Sequence, residues 1–196
     1  SLTTTPTTTS TRTLTSTPTP STTSSPTPTS TRTLTSTPTP STSSHNYNQR
    51  GYISGGSSSQ NIHGINFTTD GTFNTNAKLN IPRFLVAGVS SSVKGYFSSG
   101  MTSTATQYVS PSIDGLVFVS ETAFQISATM KQPKVFMGSV SASTRGYFAG
   151  GLDNLNHVYL SQIEGIEYST EQTFNFSQTL SLARGYLAGV QSSTRG

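Results

Sequence analysis

Three carboxylates could do chemistry in this chain. Asp70, Glu121 and Glu171 are side chains of the type that serve as general acid, general base or cation ligand. Each stands six residues after a glycine (Gly64, Gly115, Gly165) in a segment that recurs, so the three are one position seen three times. Copies carried on repeats around an axis are held apart, which argues against a joint acidic site. The expected role is a turn cap, or a partner within its own repeat for Arg83, Lys134 and Arg184, which share another repeat position. His45, His63 and His157 fall at unrelated positions without metal-ligand spacing and are read as exposed loop histidines. Serine is too abundant for any Ser-His-Asp arrangement to be informative. No enzymatic reaction, cofactor or metal site is expected.

The remaining chemistry is glycosylation. Asn66-Phe67-Thr68 and Asn175-Phe176-Ser177 are acceptor sequons, with Asn175 the better candidate because Asn66 falls in an expected strand. The tract before residue 45 offers a denser set of hydroxyls. Residues 11–20 and 31–40 both read "TRTLTSTPTP", a twenty-residue repeat. Its threonines, Thr11, Thr13, Thr15, Thr17, Thr19 and then Thr31, Thr33, Thr35, Thr37, Thr39, are candidate O-glycan acceptors, since dense Ser/Thr with Pro is the composition of mucin-like stalks. Leu2, Leu14 and Leu34 are nearly the only apolar side chains there, so residues 1–44 cannot bury a core. Regular prolines between β-branched threonines favour an extended, polyproline-like backbone. At about 3.1 Å per residue this stalk would reach on the order of 130 Å.

Composition narrows the class further. Only 9% of the 196 residues are charged, so the chain meets water through hydroxyls and amides, as secreted fibres and surface glycoproteins do. With no cysteine, neither a disulfide framework nor a thiolate metal site is possible. No apolar run is long enough to span a membrane. The net charge of +4 does not mark a nucleic-acid surface. Seven of the eleven basic residues recur with the repeats: Arg50, Lys94, Arg145 and Arg195 each precede a glycine, and Arg83, Lys134 and Arg184 close a segment. They do not gather into a patch.

The elements that carry these positions form three tandem repeats within residues 45–196. "GINFTTDGTFNTNAKLNIPR", "GLVFVSETAFQISATMKQPK" and "GIEYSTEQTFNFSQTLSLAR" align without a gap. Each is followed by a hairpin-like piece such as "FLVAGVSSSVKGYFSSG". Taking starts at Gly51, Gly95, Gly146 and Gly196 gives repeats of about 51–94, 95–145 and 146–195, and the start of a fourth suggests a piece of something larger. All length variation falls between a glycine pair and the next repeat glycine, which marks a loop; fixed spacing elsewhere marks packed strands. Ile65 with Phe67, Leu116 with Phe118, and Ile166 with Tyr168 alternate as strand residues do, and no window has helical spacing. Four short antiparallel strands per repeat are expected.

The order of elements carries a resemblance. Gly150-Gly151, Ile166, Tyr168, Glu171, Phe174, Leu180 and Arg184, with Gly55-Gly56, Phe67, Asp70, Phe73, Leu79 and Arg83 as counterparts, resemble the kelch or galactose-oxidase-type propeller repeat over residues 50–196. Phe73, Phe124 and Phe174 stand where that family usually carries tryptophan, and Ser99-Gly100 replaces one glycine pair. The resemblance implies an all-β chain of four-stranded blades; a β-trefoil is the alternative. Galactose oxidase's copper site does not carry over, because it needs a cysteine-linked tyrosine and this chain has no cysteine. Three blades are too few to close a propeller, so open edges would pair with other chains. The function expected is an extracellular or cell- or virion-surface structural glycoprotein that assembles with copies of itself into a fibre. The alternatives are a carbohydrate-binding adhesin or viral fibre module using loops 57–63, 101–114 and 152–164, and a propeller enzyme whose site lies outside these residues.

Overall fold

The computed structural model describes residues 49–57, 59–102 and 108–192, all in the unit His45–Gly196. The expected stalk with its acceptors Thr11 to Thr39, and His45 and Arg195, lie outside the described residues.

Alternating apolar and polar residues punctuated by glycine produce an all-β unit with no α-helix among the described residues. Sheet A contains β1 (Arg50–Ser54), β2 (Asn61–Asn66) and β3 (Gly71–Lys78) in the order β1-β2-β3. Sheet B contains β4 (Ala87–Ser90), β5 (Lys94–Ser98), β6 (Ser112–Val117) and β7 (Thr122–Thr129), in that order. Sheet C begins with β8 (Gly138–Ser141) and β9 (Arg145–Ala149). Its loop carries a separate hairpin, β10 (Leu152–Asp153) with β11 (Val158–Tyr159), before β12 (Gln162–Glu167) and β13 (Gln172–Thr179) complete the sheet. Every pairing is antiparallel and joins strands consecutive in the chain, except β9 with β12, between which the β10–β11 hairpin is inserted. Neither a closed barrel, as a trefoil would require, nor a closed propeller is formed among the described residues.

The sheets pack in succession, with a core between each neighbouring pair. Ile62, Ala77 and Leu79 of sheet A and its link meet Phe97 and Leu116 of sheet B. The opposite face of sheet B contributes Val89, Tyr96, Ile113 and Ile126, which meet Phe148 and Ile166 of sheet C. Adjacent residues Tyr96 and Phe97 therefore serve different cores, as strand alternation dictates. Sheet B is covered on both faces, so β6 is buried over its first five residues, whereas β13 is mostly exposed. The variable connections are β1–β2, β5–β6 and β9–β12, and the last of them holds the β10–β11 hairpin.

Two local devices set the frame. Gly55-Gly56 and Gly150-Gly151 all have positive φ, between 61° and 105°, where an added Cβ at Gly55 or Gly150 would strike the carbonyl of Arg83 or Arg184. Sheet B tolerates Ser99 at φ 58° because its hydroxyl is used: Oγ donates to the Lys134 carbonyl at 2.7 Å. The second device is a glycine directly opposite an aromatic. Gly64, Gly115 and Gly165 pair with Phe73, Phe124 and Phe174, whose rings occupy the space a Cβ would need.

Candidate functional site

The sites that recur in this molecule are the junctions between its sheets. β1 presents Arg50-Gly51-Tyr52, β5 presents Lys94-Gly95-Tyr96 and β9 presents Arg145-Gly146-Tyr147. In each sheet the tyrosine meets the aromatic of the last strand edge-on: Tyr52 with Phe73 at 6.3 Å, Tyr96 with Phe124 at 6.4 Å, Tyr147 with Phe174 at 6.1 Å. The basic group lies over that same ring, at 5.0 Å for Arg50 and Lys94 and 5.1 Å for Arg145.

The following sheet completes the contact. Phe118 stacks on Tyr52 with centroids 5.3 Å apart and planes 7° from parallel; Tyr168 stacks on Tyr96 at 5.5 Å and 4°. Glu121 then accepts hydrogen bonds from Arg50 Nη1 at 2.6 Å and Tyr52 Oη at 3.1 Å. Glu171 does the same with Lys94 Nζ at 2.8 Å and Tyr96 Oη at 3.0 Å. Burial pushes the Tyr96 phenol well above its ordinary value, and the Glu171 carboxylate beside it adds to the effect. Burial raises Tyr52 in the same way.

This corrects the expected pairing of Asp70, Glu121 and Glu171 with Arg83, Lys134 and Arg184 inside one repeat. All three carboxylates do sit at the turn, with φ of 53°, 51° and 54°. That left-handed turn throws the side chains of Glu121 and Glu171 outward, toward the preceding sheet, and Asp70 has no partner among the described residues.

Arg83 and Lys134 belong to a second, deeper set of pairs. Arg83 is fully buried; its Nη2 bonds Asp114 Oδ2, and its Nη1 bonds the Ser112 carbonyl at 3.0 Å and hydroxyl at 2.6 Å. Lys134, equally buried, places Nζ 3.0 Å from Glu164 Oε1. The carboxylates also accept from the link between sheets: Asp114 from Asn80 N at 3.3 Å and Glu164 from Lys131 N at 2.7 Å. Burial raises Asp114 and lowers Arg83, each opposed by its partner's charge. Both carboxylates sit beside the irregularity where β6 meets β7 and β12 meets β13, a place where bulges commonly re-aim a side chain. Arg184 instead stays exposed, bonding Ser181 and the Leu182 carbonyl.

Sequence reasoning missed Asp114 and Glu164. A signal existed, an acidic residue immediately before Gly115 and Gly165, but His63 breaks it before Gly64. The tyrosine after each Arg-Gly or Lys-Gly was likewise visible without its role.

The glycan candidates part company. Asn175 is exposed on β13, whereas half-buried Asn66 ends β2 with Oδ1 accepting from Thr68 N at 2.9 Å. His63 Nδ1 lies 2.7 Å from Asn74 Oδ1, and His157 is exposed with φ 53°. No cluster of His, Cys, Asp and Glu that could hold a metal occurs among the described residues, and no helix there is long and apolar enough to cross a membrane.

No protein-family model matches the chain, and no curated protein matches it in sequence.

Proposed function

We propose that this chain is a structural glycoprotein of an extracellular, cell or virion surface, and that it builds a fibre or filament from copies of itself. The sheets are blades of a kelch-like β-propeller, and residues 1–44 are its O-glycosylated stalk. The observation that carries the reading is the recurrence of the inter-sheet contact. Basic residue, tyrosine, stacked aromatic and carboxylate meet in the same way at the A–B and B–C junctions. A contact that recurs with the same residue types admits a further sheet without new chemistry, as in other repeat assemblies. Its partners are further copies and covalent glycans. No catalytic step, cofactor or nucleic acid is assigned to it.

Electron microscopy of native material, with intact mass before and after chemical deglycosylation, tests this. Regular filaments with a large sugar-dependent mass loss are expected. Discrete particles without excess mass overturn both the fibre and the stalk.

A second reading has its own observation. The β10–β11 hairpin holds out Leu155, Val158 and Tyr159, exposed at 87%, 53% and 46%, on a loop fixed by Asp153, which accepts from Leu155 N and Asn156 N. An adhesin would use such a loop on carbohydrate. Replacing residues 152–160 with a short Gly-Ser turn should then abolish glycan-array binding; unchanged binding rejects this reading.

A further inference from the structure

The outer faces of sheets A and C are the two unfilled halves of one junction. On sheet A, Phe67 and Asp70 occupy the positions held by Phe118 and Glu121 on sheet B and by Tyr168 and Glu171 on sheet C. Those later copies stack on a tyrosine and take the basic group of the sheet before them. Phe67 is instead 58% exposed, and beside it on the same face Ile53 is 58% exposed where its counterpart Phe97 is 7%.

Sheet C lacks the complementary partner. Arg145 and Tyr147 stand where Lys94 and Tyr96 stand, yet Tyr147 is only half-buried while Tyr96 is 1% exposed. Arg145 turns to Glu167 of its own sheet at 2.6 Å, a carboxylate found where sheets A and B have Asn66 and Val117. Tyr147 lines an open groove of about 630 Å³ with Val140 and Val190.

The backbone is complementary as well. β4 and β8 each cap the second strand of their sheet, whereas β1 is a free edge among the described residues. Residues 188–191 repeat the Ala-Gly-Val of β4 but join no sheet. They lie beside β8 as β8 lies beside β4: Ser141 N donates to Gln191 Oε1, and Ser90 N to Ser141 Oγ, both at 2.8 Å. The corresponding residues before β1, 43–46, read Ser-Ser-His-Asn and do not carry that pattern.

We propose that a second copy of this chain docks its sheet A on sheet C, head to tail, so that residues 188–191 pair along β1 of the neighbour, Tyr147 stacks on its Phe67 and Arg145 reaches its Asp70. The inference rests on the self-assembly reading and names the surface that performs it. Exposed apolar face meets exposed apolar face, and, among the described residues, cation meets unpaired carboxylate and an unpaired segment meets a free strand edge. The contact is heterologous, so repetition closes a ring or extends a filament. It is also weaker than the junctions inside the chain. Where Asp114 and Glu164 would receive the buried cation, sheet A offers His63 to the neighbour's Arg184.

Sedimentation velocity on the full chain across a concentration series tests the proposal, with circular dichroism confirming that each variant folds. Asp70→Arg, at an exposed residue without a partner among the described residues, should weaken association at least tenfold; adding Arg145→Asp in the same chain should restore it. His63→Asp should strengthen association by supplying the missing carboxylate. Because the chain has no cysteine, a Phe67→Cys/Tyr147→Cys chain should give an oxidation-dependent ladder that neither single variant gives. Wild-type assembly with all these variants unchanged overturns the junction but leaves self-assembly standing. A wild-type chain that stays monomeric at every concentration overturns both.

Discussion

Tyr96 is held neutral by burial and by the Glu171 carboxylate that accepts its hydrogen bond, so its folded-state pKa lies above the ordinary 10.0. As pH rises through that value the unfolded chain releases this proton and the folded chain keeps it. The unfolded state then binds fewer protons, and stability falls as pH rises, by up to about 1.4 kcal/mol per pH unit for one such group. Urea titrations between pH 8 and pH 11 should show this decline, and Tyr96→Phe should flatten it; an equal slope in the variant contradicts the assignment. The two kinds of ion pair should differ sharply in worth. Arg50 and Glu121 are about one-quarter exposed, and Glu121→Gln should cost no more than about 1 kcal/mol. Asp114→Ala leaves the fully buried Arg83 guanidinium uncompensated and should cost roughly 3–5 kcal/mol in the same denaturation assay. Sequence alone could not rank them. Both pairs join residues far apart in the chain, 31 positions for Arg83–Asp114 and 71 for Arg50–Glu121, and only the stacking of one sheet on the next brings them together.

At the scale of the strand, the repeat positions were legible because the physics behind them is local. The phenylalanine six residues beyond each Phe67-type ring and the glycine before it read as fixed features, and they are cross-strand partners in all three sheets. The glycine pairs after β1 and β9 were legible too, since two successive left-handed residues strongly favour glycine, although Ser99 takes the first place after β5. The face each strand presents was not. Alternation says that Tyr96 and Phe97 point opposite ways, but which core receives each depends on neighbours that the pattern does not name. The glycine–ring pairs give a direct test. Gly115→Ala puts a methyl where the Phe124 ring lies, and moving that ring disturbs its contacts with both Tyr96 and Lys94. A loss of about 1–3 kcal/mol by chemical denaturation is expected, the ordinary cost of overpacking. Gly56→Ala meets open space and strains only a φ of 81°, so its cost should come from backbone conformation alone, about 1–2 kcal/mol. Equal near-zero effects at both glycines would remove the steric account of the repeat.

For the whole unit, stacking order sets how stability is distributed. Among the described residues, sheet B alone has a core on each face and a buried ion pair to each side, Arg83–Asp114 toward sheet A and Lys134–Glu164 toward sheet C. Local opening is governed by such coverage, so amide exchange should be slowest in β5 and β6 and fastest in β1 and β13, the strands of the two end sheets that face outward. The gradient belongs to the dilute, unassembled chain. If copies join through sheets A and C, the ends acquire the coverage that sheet B already has, and β1 should gain protection most because it gains a hydrogen-bonded neighbour as well as a packed face. Hydrogen exchange with mass spectrometry, run on the same chain at low and high concentration, reads both effects together. Protection that rises in β1 and around Tyr147 while β6 stays constant fits a head-to-tail contact between the end sheets. Protection that rises instead in the β10–β11 hairpin would move the contact to the loops, and the assembly would then run along a different axis of the molecule.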